Sequence, residues 1–268
     1  MTMPLKGEVG QYLDELSPAA RIIGTVNTIV NENGRLRGYI TDGEGYVKNP
    51  QSIGSDVKGK KLTLLGGGAA TAIIAQSALD GAREIAVFNM KDTFFPKVEA
   101  NIRHIASQVP SCKMALYDLA DTAALRREIE SSDILTNATR VGMAPLEDQS
   151  LITDLSLLRP GLVVADTVYH PLETKLLRDA KAAGCKTAQG LGMLLWQGAA
   201  AFALYSGEIE EQMCFHMCEL FGVEQIICGL MENYSVEYTA QKLRELCHRA
   251  GKYGIGVEPM PYSGTLKV

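Results

Sequence analysis

Four polar residues near the start of the chain could together handle a proton. Lys6 stands in "TMPLK", Asn27 in "GTVNTIVN", and Thr41 with Asp42 in "GYITDG". These polar residues stand at the ends of predicted strands or loops, and a positioned lysine is one of the side chains that can move a proton to or from a reacting group. Each residue alone also has a plainer interpretation, because Asn and Asp favour turns and Lys is usually a solvated surface residue. The chemistry therefore depends on whether folding brings these segments together.

A glycine-rich turn is the second feature that could bind a ligand. The stretch "LTLLGGGAATAIIAQSAL" places Gly66, Gly67 and Gly68 between a predicted strand and a predicted helix. Glycines in this context let a pyrophosphate approach the backbone at a helix N-terminus. Thr71 stands at the third fingerprint position, where Gly or Ala is usual, so the loop alone does not exclude a simple packing turn. The succession of five further strands favours a dinucleotide site.

The next predicted strand ends in "FNMKD", where an adenosine ribose would lie. A carboxylate at this point would bond the ribose and favour NAD, whereas an arginine would grip the extra phosphate of NADP. Asn89 ends the strand, and Lys91 and Asp92 follow it. These residues are mixed, so they leave the choice of cofactor open.

The fold class follows from the alternation of strands and helices between residues 60 and 207. Six short β-rich runs are separated by longer segments of helical period: "KKLTLLGG", "EIAVFN", "KMALYD", "DILTNAT", "GLVVADTV" and "CKTAQG". Such alternation implies right-handed crossovers and a parallel sheet covered on both faces. We predict an α/β fold, with a doubly wound parallel-sheet (Rossmann-like) NAD(P) domain and a partial α/β substrate-binding domain.

Four regions are predicted along the chain. Residues 1–50 would form a partial substrate-binding (catalytic) domain, with a helical stretch broken at Pro18 and the strands "TVNTIV" and "RLRGYIT" joined by the turn "NENG". Residues 51–189 would form the NAD(P)-binding Rossmann-like domain. Residues 190–207 would be a helix returning to the substrate domain, and residues 208–268 a helical tail of unknown role.

Composition excludes several classes of function. Hydrophobic residues make up 46% and charged residues 21% of the chain, as in ordinary soluble globular proteins. A net charge of −5 provides no basic field for nucleic acid or an anionic membrane surface, so neither is expected as a partner. The start has no basic-then-apolar signal pattern, and the longest apolar stretches are too short to span a bilayer. We expect a cytoplasmic location.

The cysteines are expected to be reduced and to bind no metal. Six of them are scattered in a chain too large to need stapling by disulfides. The stretch "CFHMC", from Cys214 to Cys218, matches no standard zinc spacing. A buried helix face is the better interpretation of it.

Seven segments, in order, resemble the motifs of the shikimate dehydrogenase family, most closely its quinate/shikimate dehydrogenase branch. The family carries V-T-x-P-x-K, V-N-T-[IL], N-T-D-G, G-A-G-G-A, T-N-x-T-x-x-G-M, D-x-x-Y-x-P-x-x-T and G-x-x-M-L-x-x-Q. The chain has "TMPLK", "VNTIV", "ITDG", "GGGAA", "TNATRVGM", "DTVYHPLET" and "GLGMLLWQG" between residues 2 and 207. The fifth and sixth segments fall at the carboxyl ends of predicted strands, where open α/β sheets bind their ligands.

The resemblance implies a reversible hydride transfer between NAD(P) and the ring carbon bearing a hydroxyl in shikimate or quinate, with 3-dehydroshikimate or 3-dehydroquinate as the ketone. Such enzymes serve the shikimate pathway of aromatic amino acid biosynthesis or quinate metabolism. Lys6 and Asp42 would be the catalytic pair at that hydroxyl. The residues implied to bind the small-molecule substrate are Thr2, Asn27, Thr41, Tyr169 and Gln197.

The resemblance also implies a cofactor site. The residues concerned are Gly66, Gly67, Gly68, Ala69, Ala70, Asn89, Asp92, Asn137, Thr139, Arg140, Thr167, Val168, Gly190 and Met193. The quinate-accepting branch has an acid at the position of Asp92 and tolerates NAD, while strict NADP members use an arginine near Met90. That arginine is absent here, so NAD or dual use is favoured.

The chain departs from the family pattern in three ways. Family members carry further βα units before the Thr-x-Pro-x-Lys segment, with a Ser-x-Ser pair that grips the substrate carboxylate, and this sequence shows neither. Ile40 and His170 stand where the family has Asn, Ala69 where a third consecutive Gly would fall, and the loop is one residue shorter. Ile40 is expected to point into packing. Residues 208–268 match no part of the family.

A substrate domain without its first units would expose a sheet edge and an apolar face. We therefore expect low stability, self-association into a homo-oligomer, or a tail that compensates. Two alternative functions follow: a non-catalytic dinucleotide-binding remnant that has lost turnover through amino-terminal truncation, and an interaction module in which the tail mediates assembly. Methylenetetrahydrofolate dehydrogenases share the two-domain plan, but "TNAT", "ITDG" and "GMLLWQG" favour the shikimate dehydrogenase family.

Overall fold

The apolar runs after residue 60 form one six-stranded parallel sheet. The computed structural model describes residues 5–68 and 70–207. The strands of this sheet are β4 (Lys61–Leu65), β5 (Glu84–Asn89), β6 (Lys113–Asp118), β7 (Ile134–Asn137), β8 (Val163–Asp166) and β9 (Lys186–Ala188). Their order is β6-β5-β4-β7-β8-β9, and every neighbouring pair is parallel. The predicted doubly wound, Rossmann-like fold is confirmed, because the strand order reverses beside β4.

Four helices connect these strands and cover both faces of the sheet. They are α3 (Thr71–Leu79), α4 (Phe95–Gln108), α5 (Thr122–Glu130) and α6 (Lys175–Ala182). Successive side chains of a strand point to opposite faces. Ile85 and Val87 of β5 accordingly join one apolar cluster with residues of α3 and α4. Ala86 and Phe88 join a second cluster with residues of α5 and α6.

A small three-stranded sheet comes before the large one. Its strands are β1 (Glu15–Leu16), β2 (Thr28–Glu32) and β3 (Arg35–Tyr39), in the order β1-β3-β2. β2 and β3 form a hairpin whose two loop residues, Asn33 and Gly34, have φ of 54° and 89°. Such positive values suit a two-residue hairpin turn and favour Asn and Gly. The two predicted strands and their turn are therefore found in the structure.

The helical stretch predicted before this hairpin is wrong in detail. Residues 5–7 and 9–12 form short 3₁₀ turns, β1 follows, and helix α1 (Pro18–Ile23) begins at the proline that was expected to break a helix. Ser17 caps α1, because its Oγ accepts a hydrogen bond from the Ala20 backbone N at 3.3 Å. Proline is tolerated in a first helical turn since its missing N–H would have no partner there. A start signal was thus read as a stop signal.

Two helices join the small sheet to the large one. They are α2 (Asp42–Ser52), which follows β3, and α7 (Gly190–Ser206), which follows β9. Ile40 precedes α2 and is buried in a cluster with Ala19, Ala20 and Val26, as expected for a residue pointing into packing. Because α2 runs through residue 50, the predicted division there cuts a helix, and the proposed domain boundaries stay predictions.

Three further observations concern the described residues alone. Cys112 and Cys185 are free and buried, whereas "CFHMC" lies outside the described residues. Between residues 5 and 207, leaving out Ala69, three or more His, Cys, Asp or Glu side chains nowhere cluster as a metal would require. None of the helices in this part of the chain is long and apolar enough to cross a bilayer.

Candidate active site

Lys6 and Asp42 form a hydrogen-bonded ion pair. The Lys6 Nζ donates to Asp42 Oδ2, and their side chains are 21% and 28% exposed, so a small molecule can reach them. Lys6 lies on the first 3₁₀ turn, where its carbonyl accepts a hydrogen bond from the Val26 backbone N at 2.8 Å. Asp42 is the first residue of α2, where a carboxylate interacts favourably with the helix dipole. Residues distant in sequence thus meet as the chemistry requires.

Asn27 holds Asp42 from the other side. Its Nδ2 donates to Asp42 Oδ1 at 3.1 Å and to Thr41 Oγ1 at 3.0 Å, and its Oδ1 accepts from the Thr41 backbone N at 3.1 Å. Asn27 and Thr41 are both buried, with 8% and no exposure. With Lys6 on one carboxylate oxygen and Asn27 on the other, the Asp42 side chain has a fixed orientation.

Helix α2 brings Asp42 close to the glycine loop and to α7. A Cβ added to Gly43 would lie 2.3 Å from the Ala72 carbonyl O, in the first turn of α3. A Cβ added to Gly45 would lie 2.5 Å from the Gln197 backbone N on α7. Two glycines next to Asp42 therefore allow close packing on two other helices. This packing brings Gln197 and the start of α3 to the same region as the Lys6–Asp42 pair.

The glycine loop is shaped by the absence of side chains. Gly66 has φ of 95°, and a Cβ there would lie 2.9 Å from the Ala138 carbonyl O. A Cβ on Gly67 would lie 2.3 Å from Val98 Cγ1, whereas Gly68 is exposed and has open space around it. The loop leads through Ala70 into the N-terminus of α3, so open backbone next to a helix start is available for a phosphate. Ala69 lies outside the described residues.

Asn89, at the end of β5, fixes this loop. Its Oδ1 accepts a hydrogen bond from the Gly67 backbone N at 3.0 Å, and its Nδ2 donates to the Met90 carbonyl at 2.8 Å. Asp92 lies beyond it in an exposed turn, where its Oδ1 accepts from the Phe94 backbone N at 2.9 Å. The Asp92 carboxylate is therefore exposed to solvent beyond the carboxyl end of β5, where an adenosine ribose would bind.

A second hydrogen-bond network spans the ends of β7 and β8. Asn137 Nδ2 donates to Asp166 Oδ1 at 3.0 Å, and Asn137 Oδ1 accepts from Thr139 Oγ1 at 2.7 Å. Asp166 Oδ2 accepts from Thr174 Oγ1 at 2.7 Å. The sequence analysis missed Asp166 and Thr174 as site residues. Their positions as the first and last residues of the D-x-x-Y-x-P-x-x-T segment were the available signal.

The start of α7 packs against the loop after β8. A Cβ on Gly190 would lie 2.3 Å from the Val168 carbonyl O, and the Thr167 backbone N donates to the Asn137 carbonyl at 2.9 Å. Met193 is one turn further along α7, and its carbonyl would lie 2.7 Å from a Cβ on Gly45. Thr167, Val168, Gly190 and Met193 of the implied cofactor site therefore lie close to Asn137 at the end of β7 and to α2.

The remaining implied residues are at the surface or outside the described part. Tyr169 is 55% exposed, and Arg140 is also exposed, so neither is held inside the network. Gln197 is half-buried, and its Nε2 donates to the Leu194 carbonyl at 3.2 Å. Thr2 lies outside the described residues.

Burial changes the pKa of two groups near the site. Burial raises the pKa of Asp166 to about 6, against the opposing effect of hydrogen bonds from Val168, Thr174 and Asn137. Burial also raises the pKa of the Tyr46 hydroxyl to about 12, because Tyr46 on α2 is 1% exposed. At pH 7 the Asp166 carboxyl is therefore mostly ionised, and the Tyr46 hydroxyl is uncharged.

A parallel sheet with a glycine loop, and a lysine–aspartate pair held against the helix that follows that loop, define a dinucleotide-dependent oxidoreductase. The chain matches no protein-family model. It is 51% identical over 209 residues to a quinate/shikimate dehydrogenase of Escherichia coli O139:H28, covering 78% of this chain and 72% of that protein.

Solved structures give the same result. The crystal structure of shikimate 5-dehydrogenase from Listeria monocytogenes, in complex with shikimate and NAD, matches with a TM-score of 0.75 and 45% identity, covering 81% of this chain and 75% of that one. A shikimate dehydrogenase in complex with NADP+ matches with a TM-score of 0.66 and 36% identity, covering 81% and 74%. This chain belongs to the shikimate dehydrogenase family, as the seven segments predicted.

Proposed function

We propose that this chain transfers a hydride between a nicotinamide dinucleotide and the hydroxyl-bearing ring carbon of shikimate or quinate. The observation that carries the proposal is the Lys6–Asp42 pair, oriented by Asn27 and packed against the helix that follows the glycine loop. A relative of this chain is named quinate/shikimate dehydrogenase, and the crystal structure of another contains shikimate and NAD.

The proposed chemistry needs one proton acceptor at the substrate oxygen. When bound, the nicotinamide ring supplies the place to which the carbon-bound hydrogen moves with its electron pair. The hydroxyl proton leaves at the same time. Lys6 accepts it as a neutral amine, which forms when the Lys6 ammonium of the ion pair first releases a proton to solvent, and Asp42 holds the Lys6 Nζ in position. In the reverse direction Lys6 returns the proton to the ketone oxygen, so atoms and charges balance.

Asn27 has two roles in this proposal, and Thr41 has one. They bind ring hydroxyls of the substrate together with Thr2, Tyr169 and Gln197, as the family resemblance implies. Asn27 also orients Asp42, which the 3.1 Å hydrogen bond between Asn27 Nδ2 and Asp42 Oδ1 supports. A small polar ring bearing several hydroxyls suits a cleft lined by amide and hydroxyl groups.

For the cofactor we propose NAD, or use of both dinucleotides. Gly66, Gly67, Gly68, Ala69 and Ala70 would receive the pyrophosphate, while Asn89 and Asp92 would lie at the adenosine ribose. The exposed Asp92 carboxylate supports NAD because it would repel the additional phosphate of NADP. The turn from Asn89 to Phe94 contains Lys91 but no arginine, and this favours NAD without excluding NADP. The other implied cofactor residues would lie at the nicotinamide end.

The test follows the reduction of NAD and of NADP by absorbance, with shikimate and quinate offered separately to the full 268-residue chain. We expect turnover that Lys6→Ala lowers by about 10²- to 10⁴-fold, which is the usual contribution of a general acid–base group. Dinucleotide binding should be unchanged in Lys6→Ala. The matched control is Lys113→Ala. The Lys113 side chain is 77% exposed, and Lys113 is the first residue of β6, an outer strand of the sheet, at the amino-terminal ends of the strands.

Two results would contradict the proposal. Turnover that survives Lys6→Ala would remove Lys6 from the chemistry. No turnover from a chain that still binds a dinucleotide would favour the non-catalytic dinucleotide-binding alternative.

The proposal includes a cytoplasmic location, which the free, buried thiols of Cys112 and Cys185 support. The predicted self-association stays a prediction that light scattering would measure.

A further inference from the structure

Asp166 is a buried carboxylate that the proposed reaction does not use. It ends β8, is 2% exposed, and accepts hydrogen bonds from Asn137 Nδ2, Thr174 Oγ1 and the Val168 backbone N at 3.0, 2.7 and 2.9 Å. An ionised carboxylate is costly to bury and stays there only when donors surround it. A packing role alone would be served by an apolar side chain.

The donors to Asp166 come from the end of β7 and from the segment after β8. Asn137 is the last residue of β7, and its Oδ1 fixes the loop that follows by accepting from the Thr139 backbone N at 3.1 Å and from Thr139 Oγ1 at 2.7 Å. Val168 and Thr174 belong to the segment after β8. One side chain therefore joins the two loops at the carboxyl edge of the sheet, the edge at which such sheets bind ligands.

Thr174 strengthens the connection between the loops. Its hydroxyl donates to Asp166 Oδ2, and its methyl group lies 3.1 Å from the position of a Cβ on Gly142, so the residue packs closely on the first loop. Thr174 also caps α6, because its Oγ1 accepts from the Leu177 backbone N at 3.4 Å. The start of α6 and both loops are thus fixed around a single carboxylate.

We propose that Asp166 is a positioning residue that holds the loops after β7 and β8 in the arrangement that receives the nicotinamide end of the dinucleotide. This inference rests on the proposed function. Asp166 does not touch the substrate or the reacting atoms. It acts through Asn137 and Thr139 on one side and through Thr167 and Val168 on the other, the residues for which the family resemblance implies cofactor contact.

The test compares Asp166→Ala with Asp166→Asn. Alanine removes every acceptor, so the loops separate, and we expect the Kd for the dinucleotide to rise about tenfold or more and kcat to fall, since a displacement near 1 Å can cost about 10²-fold. Asparagine keeps one carbonyl oxygen for Asn137 and Val168, and its NH2 can donate to Thr174 Oγ1. Asp166→Asn should therefore restore most of the affinity.

A buried carboxylate on helix α5, away from these loops, supplies the control. Glu128 is 5% exposed and pairs with Lys61 Nζ at 2.7 Å, at the amino-terminal edge of the strands. Glu128→Gln should lower the melting temperature and leave the dinucleotide Kd unchanged. If Asp166→Ala behaves in the same way, with lower stability and an unchanged Kd, Asp166 is structural only and the inference is wrong.

Two further measurements keep the inference testable. If Asp166→Ala does not fold, Thr174→Val removes one donor while keeping the shape of the side chain, and an unchanged Kd in that variant would overturn the inference. The Kd is measured by fluorescence of bound NADH and does not require turnover. Failure of the proposed reaction in the wild-type chain would therefore be distinguishable from failure of the Asp166 role.

Discussion

The hydroxyl oxygens of Tyr46 and Thr136 lie 2.6 Å apart in the core, although the two residues are separated by 90 positions in the sequence. Tyr46 is 1% exposed and Thr136 is fully buried. Tyr46 comes one helical turn after Asp42 on α2, and Thr136 comes just before Asn137 on β7. A single buried hydrogen bond therefore joins the helix that carries the proposed acid–base pair to the strand that leads into the cofactor edge.

Removing the Tyr46 hydroxyl should destabilise the protein. Tyr46→Phe leaves the Thr136 hydroxyl buried without its partner, and we expect the free energy of unfolding to fall by about 1–3 kcal/mol. Urea unfolding followed by circular dichroism measures this change. The matched control is Tyr46→Phe combined with Thr136→Val, because replacing both hydroxyls with apolar groups should recover most of the stability. A Tyr46→Phe variant as stable as wild type would show that the hydrogen bond contributes nothing.

Much of this architecture could be predicted because it follows from local patterns. Each of the six runs after residue 60 is a strand, and the glycine loop lies between β4 and α3 as the spacing of Gly66 to Thr71 indicated. Local pattern was misleading at Pro18, since a proline is compatible both with the end of one helix and with the first turn of the next. Ser17 was the feature that distinguished the two.

The long-range polar contacts could not be predicted from pattern. Lys6, Asn27 and Asp42 were grouped through the family resemblance, and the structure places them in one network. Tyr46–Thr136 and Asn137–Asp166 join residues 90 and 29 positions apart, and no periodicity links such pairs. A buried hydroxyl or carboxylate needs a partner, but the sequence does not identify which strand supplies it.

The charge of Asp92 should set the preference between the two dinucleotides. Asp92→Asn removes a negative charge from the turn after β5, so NADP should be less disfavoured. Two like charges about 4 Å apart in water repel by about 1 kcal/mol, and we expect the NADP-to-NAD ratio of kcat/KM to rise about fivefold. Steady-state kinetics with both cofactors measures this ratio. The control is Asp148→Asn, whose carboxylate is fully exposed on another loop. Equal ratios in the two variants would remove Asp92 from cofactor selection.

Asp166 should make stability fall as the pH rises from about 4 to about 6. Burial raises the pKa of Asp166 to about 6 in the folded protein, whereas an unfolded aspartate has a pKa of about 3.9. In this window the folded state holds a proton that the unfolded state has released, so raising the pH disfavours folding. The unfolding free energy of wild type minus that of Asp166→Asn should therefore decrease by roughly 3 kcal/mol as the pH rises from about 4 to about 6.

Glu128 should show the opposite dependence on pH. Although burial favours its neutral form, hydrogen bonds from Lys61 and Arg127 lower the pKa of Glu128. Its stabilising effect is therefore present above the unfolded pKa and is lost as the pH falls. Urea unfolding of wild type, Asp166→Asn and Glu128→Gln should therefore be measured from about pH 3 to about pH 7. The stability difference for Asp166 should fall as the pH rises from about 4 to about 6, and that for Glu128 should fall as the pH drops below about 4.3. A Glu128 difference that stays constant below about pH 4.3, or an Asp166 difference that stays constant between about pH 4 and about pH 6, would contradict the prediction for that residue.

The close contact between α2 and α7 should not tolerate a side chain at Gly45. A Cβ in Gly45→Ala would lie 2.5 Å from the Gln197 backbone N and 2.7 Å from the Met193 carbonyl O, and neither backbone atom can move alone. We expect the helices to separate, with a loss of about 1–3 kcal/mol in the free energy of unfolding. Gln197 is one of the proposed substrate-binding residues, so its displacement should lower kcat/KM for the substrate more than the dinucleotide affinity. Gly10→Ala is the control, since its Cβ would be 3.8 Å from Leu16 in ordinary contact. Should Gly45→Ala match Gly10→Ala in stability and turnover, the close packing of α2 on α7 would be needed neither for stability nor for the proposed role of Gln197.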